Sequence, residues 1–110
     1  MLKLIATIAI SSALLLSESR GSAENGKRLY ESIGCYECHG RQAQGGSAGP
    51  KLAPRTIPLE VLISYVRHPA GSMPPYTPKL ASDSDLADIH AFLKSIPAGK
   101  SAKEIPLLNQ

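Results

Sequence analysis

Apolar residues recur along the chain with a helical period in three places. Over Glu24–Ile33 the stripe is Gly26, Leu29, Tyr30 and Ile33, the three-and-four spacing of one helix face. A second stripe, Leu59, Leu62, Ile63 and Val66, predicts a helix to about Arg67. Pro58 suits its first turn, and Pro69 ends it by pushing the preceding residue out of the helical region. The third begins at Ser82, where Asp85 three residues on completes a capping-box pattern. It carries Leu86, Ile89, Leu93 and Ile96 with Phe92 alongside, and Pro97 stops it. Residues 40–56 and 69–81 are rich in Gly and Pro and predict irregular loops. No run alternates as a strand would, and no segment repeats. The expected class is all-α, with three main helices and two loops long enough to wrap something.

The first 23 residues have a different pattern. Lys3 precedes the stretch Leu4–Leu16, and small and polar residues follow to Gly21-Ser22-Ala23, as in a secretory signal peptide. The stretch is shorter than the ~20 residues a membrane-spanning helix needs. Cleavage is expected after Ala23, leaving Glu24–Gln110; an uncleaved leader would act as an N-terminal anchor, the one route to membrane association. The expected organisation is a leader at 1–23, a domain at 24–97 and a polar tail at 98–110.

Composition limits what that domain can be. Of 12 Lys/Arg and 9 Asp/Glu in the whole chain, the part after Ala23 keeps ten and eight, a net charge of +2. This is too mild and too dispersed for a nucleic-acid binder. With one Phe, four Tyr and no Trp, the apolar core is modest, and small domains of this kind usually depend on a disulfide, a metal or a cofactor. The two cysteines, Cys35 and Cys38, are too close in sequence for their disulfide to restrain much of the unfolded chain.

Their context is Cys35-Tyr36-Glu37-Cys38-His39, a C-x-x-C-H, the attachment signature of c-type haem. On one helical turn these positions share a side. Two thiols can then add to the vinyl groups on one porphyrin edge while the imidazole reaches across the ring to the iron. A zinc site would need four ligands, and the chain offers two Cys and three His with no second ligand pair. A thioredoxin-type dithiol would sit in a βαβ pattern, which is missing.

Haem iron in electron-transfer proteins is commonly held by His and Met. After loss of the leader Met73 is the remaining methionine, and it lies in the Pro-rich loop rather than on a helical stripe. His68, at a helix end, and His90, on the last helix, are the rival sixth ligands.

Taken together, residues 24–97 resemble a class I cytochrome c, the soluble monohaem family. The resemblance rests on Gly26 and Tyr30 in the first helix, C-x-x-C-H, Gly49-Pro50-Lys51-Leu52 and Met73-Pro74-Pro75-Tyr76. It implies one haem c on Cys35 and Cys38, with His39 and Met73 as axial ligands. It further implies that Gly26 and Tyr30 let the first helix cross the last at Ile89 and Phe92. By the same resemblance the Pro50 carbonyl orients His39 and Leu52 packs on the haem. Tyr65, Arg67 and Tyr76 are candidate propionate donors; Lys51, Lys79 and Arg41 are candidates for a basic rim steering an acidic partner.

The implied function is one-electron transfer between protein redox partners, without catalysis of its own, in an exported setting such as a bacterial periplasm. Two alternatives remain: a cytochrome subunit of a larger periplasmic dehydrogenase or oxidase, and a haem peroxidase or gas sensor with Met73 off the iron.

Overall fold

The computed structural model describes residues 21–110, so most of the expected leader lies outside the described residues. Helix α1 spans Ala23–Ile33, α2 Cys35–His39, α3 Leu59–Arg67 and α4 Asp83–Ser95. The described residues contain no strand, in agreement with the expected all-α class. None of their helices is long and apolar enough to cross a membrane.

Each helix starts and stops for a local reason. Ser22 caps α1, its hydroxyl accepting from the Asn25 amide, and Gly34 ends α1 in the left-handed region at φ 93°, where glycine avoids the Cβ penalty. The cap lies one residue before the expected cleavage point, so α1 begins with Ala23 itself. The Ser82–Asp85 capping box is present in both directions. Pro58 sits at the N-cap of α3 rather than inside its first turn.

The α1–α4 crossing is the largest contact between elements. Gly26 makes it possible: a Cβ there would fall on the Asp88 carbonyl of α4. Leu29 and Tyr30 of α1 and Leu86, Ile89, Phe92 and Leu93 of α4 are buried. The Tyr30 and Phe92 rings lie 5.4 Å apart and tilted by 58°, a favourable aromatic arrangement. From α3, Leu62 and Val66 complete the core, while Leu59 and Ile63 are half-buried beside it.

Two features run against simple expectation. The tail, which reads as a loose polar segment, forms two 3-10 turns, Ala102–Glu104 and Pro106–Leu108. A second capping box, Ser101 with Glu104, starts the first turn, and Asn109 donates to the Ala102, Lys103 and Ile105 carbonyls. Within loop 40–56, Ala43 is fully buried at φ 52°. Its carbonyl accepts from both Leu52 (2.9 Å) and Ala53 (3.2 Å), tying the two arms of the loop together.

Candidate functional site

The C-x-x-C-H residues occupy α2, a single turn between Gly34 and Gly40. Both glycines have positive φ, which lets the chain turn sharply at each end of so short a helix. Tyr30 fixes the far end: its hydroxyl donates to the Gly40 carbonyl at 2.7 Å. Burial first, and then the neighbouring Cys35, push the Tyr30 hydroxyl up to about 12. It remains a donor over the whole physiological range.

His39 is the one buried polar side chain among the described residues, 8% exposed. Its Nδ1 lies 2.7 Å from the Pro50 carbonyl oxygen. A carbonyl can only accept, so Nδ1 carries a proton, and the tautomer this selects is the one with its bare lone pair on Nε2. That is the tautomer a metal ligand needs. The Pro50 carbonyl is brought there by the folded-back loop, in which Gly45 N–H donates to the His39 carbonyl (2.8 Å) and Gly46 N–H to that of Gly49 (3.0 Å). Gly49 leaves the necessary space: a Cβ would lie 2.9 Å from the Cys38 carbonyl oxygen and 3.1 Å from His39 Cε1.

The two cysteines form no disulfide. Burial pushes the Cys35 thiol up to about 11, its own backbone hydrogen bond opposing the shift; these surroundings disfavour a thiolate and suit an uncharged thioether. Cys38 is exposed. Cys35, Leu52, Ile63, Met73 and Tyr76 are half-buried and pack against one core cluster. The Tyr76 hydroxyl is raised by burial and then by Cys35, Cys38 and Glu37. The donor set of two cysteine sulfurs, a pre-set imidazole and a thioether fits a haem c, and Cys35 and Met73 both pack against the apolar cluster.

The other predicted residues fall in three places. Tyr65 is 45% exposed, and its hydroxyl accepts from the Ala70 amide (3.4 Å). Arg67 donates to the Tyr76 carbonyl (2.9 Å) and to Asp83 (2.7 Å), so its guanidinium is engaged with protein on two sides. Of the expected basic rim, Arg41 lies over the Tyr36 ring at 4.5 Å and 3.9 Å from Glu31, while Lys51 and Lys79 are exposed. The rival ligands have other surroundings. His68 is exposed at the α3 C-cap, and His90 Nε2 lies 2.8 Å from the Ile57 carbonyl.

Sequence reasoning missed Ala43 and Asp88. Asp88 accepts from the Ser22 amide (2.7 Å) and the Asn25 side chain (2.6 Å), joining the start of α1 to α4. An alanine in a loop and an aspartate on a helix give no local signal of either role.

Residues 21–93 match the family described as cytochrome c oxidase, cbb3-type, subunit III. The chain is also similar to the 4-cresol dehydrogenase [hydroxylating] cytochrome c subunit of Pseudomonas putida, 26% identical over 99 residues, covering 86% of this chain and 84% of the relative. No solved structure matches it.

Proposed function

The chain belongs to the cbb3-type subunit III family of cytochromes c and transfers electrons through a covalently bound haem c; from this premise we propose that Cys35 and Cys38 carry the haem and that His39 and Met73 are its axial ligands. The haem supplies a one-electron couple. The remaining work belongs to the chain's own residues.

Cys35 and Cys38 would hold the haem through two thioether bonds. His39 offers Nε2 because Pro50 occupies Nδ1–H at 2.7 Å; this hydrogen bond is the single observation on which the reading rests. Leu52 and Ile63, half-buried against the core, would shield the haem from water, which together with the axial donors tunes the potential. Met73 supplies a soft sulfur that favours the reduced state. Ligation by both His39 and Met73 would leave the iron no open coordination site, the arrangement of a carrier rather than an enzyme.

The setting follows from the chemistry. The N-terminal segment acts as an export leader, and the protein works in an oxidising compartment, the bacterial periplasm. The α1 cap favours removal of the leader before Ser22 rather than after Ala23, since Ser22 provides both the cap and a contact to Asp88. Ser19 and Gly21 are the small residues such a cleavage site uses.

A second reading concerns the partner. The Pseudomonas putida relative is by its name a subunit of a dehydrogenase, and the match covers most of both chains. This supports a role as the cytochrome subunit that accepts electrons from a dehydrogenase. Size-exclusion chromatography of native extract separates the two: consistent co-migration with one larger protein supports the subunit, and elution as a lone small cytochrome supports the free carrier. For haem attachment, the test is extraction with acidified acetone. Haem should stay with the wild-type protein and be released from the Cys35→Ala/Cys38→Ala variant.

A further inference from the structure

Met73 belongs to no helix, so its position depends on what restrains the loop 69–81. The next two residues, Pro74 and Pro75, have a fixed φ and no N–H to donate, and make the stretch from Met73 to Tyr76 a stiff, extended lever. The far end of that lever is pinned twice. Tyr76 N–H donates to the Val66 carbonyl at 3.0 Å, satisfying one of the carbonyls a helix end leaves without a partner. The Tyr76 carbonyl accepts from Arg67 Nη1 at 2.9 Å. Both backbone polar groups of Tyr76 are therefore held by consecutive residues at the end of α3.

The second guanidinium nitrogen reaches Asp83 at 2.7 Å, at the first residue of α4. The two contacts differ in weight. The Arg67 side chain is only 14% exposed while that of Asp83 is 72% exposed. An ion pair open to water on one side contributes little. The bond from a largely buried guanidinium to a carbonyl is charge-assisted and stronger.

We propose that Arg67 is a positioning residue: it clamps Tyr76, and through the Pro74-Pro75 lever keeps the Met73 sulfur on the iron. The inference rests on Met73 being the axial ligand. It assigns Arg67 to the ligand loop rather than to a haem propionate.

The test is the affinity of the oxidised holoprotein for added imidazole, which binds only when Met73 leaves. Loss of a charge-assisted bond makes that opening easier, so Arg67→Met should raise the apparent imidazole affinity about ten-fold or more. Arg67→Lys keeps charge but not the two-sided fork, and should recover part of the wild-type value. Asp83→Asn should change the affinity by less than about three-fold. Phe92→Leu, which thins the α1–α4 core, should lower Tm and leave imidazole affinity at the wild-type level. An unchanged affinity in Arg67→Met overturns the proposal, as does an equal rise in Phe92→Leu at the same loss of Tm. The long-wavelength sulfur-to-iron absorption of the wild-type ferric protein separates the two claims. Its absence contradicts Met73 ligation and Arg67's role together; its presence with an unmoved Arg67→Met contradicts Arg67's role alone.

Discussion

His39 Nδ1 and the Pro50 carbonyl oxygen lie 2.7 Å apart, so the tautomer of the candidate iron ligand is set by the backbone of a loop eleven residues on. Because the acceptor is backbone, Pro50→Ala keeps it and should shift the reduction potential little. Gly49→Ala is different. Its Cβ would press on His39 Cε1 and the Cys38 carbonyl, tilting the ring away from Pro50. Voltammetry should show a clear shift in potential for Gly49→Ala and a smaller one for Pro50→Ala; the reverse order would show that the carbonyl does not orient His39.

Gly26 sets how closely α1 and α4 can approach. In Gly26→Ala the new methyl group meets the Asp88 carbonyl and the Ile89 amide nitrogen, neither of which can move without shifting α4. Overpacking of this kind costs about 1–3 kcal/mol. Gly46→Ala, with open space around it, is the control and should stay within about 0.5 kcal/mol. Denaturant unfolding of both variants checks this; comparable losses would mean that the crossing tolerates a Cβ.

Tyr30 predicts a loss of stability in alkali. Burial is the largest cause holding its hydroxyl up to about 12, whereas in the unfolded chain it titrates near ~10. Between those values the folded protein keeps a proton that the unfolded chain has lost, so stability falls as pH rises. The contribution is complete below about pH 10 and amounts to on the order of 2 kcal/mol. Tyr30→Phe should cost about 1 kcal/mol at neutral pH, from the lost bond to Gly40. It should also flatten the decline above about pH 10. Parallel stability–pH curves for the two proteins would contradict this.

The start of α1 makes a prediction about the mature protein. Intact mass should place the N-terminus at or before Ser22, so that the cap and the Asp88 contact survive. Ser22→Ala should lower stability by about 1 kcal/mol. A mature chain beginning at Glu24 would show that α1 does without its cap.

What the sequence shows and hides divides along physical lines. Periodicity and capping residues make the helices legible: Ser82 with Asp85 is a local pattern with a local effect, while the close crossing at Gly26 is implied by the family resemblance. The motif α2 is legible because its chemistry depends on consecutive residues. Arg67 is placed by the sequence at the site but not with its partners, since the Tyr76 carbonyl and Asp83 are nine and sixteen residues away. Ala43 is harder still, because its buried, positive-φ place at the base of a loop comes from contacts with Leu52 and Ala53, not from its side chain.

The central claim is a closed iron site between His39 and Met73. Its most direct test is carbon monoxide titration of the reduced wild-type protein and of Met73→Ala, followed by visible absorption. The wild type should bind little or none at neutral pH, and Met73→Ala should bind readily. Rapid binding by the wild type, or failure of Met73→Ala to bind, would contradict the account.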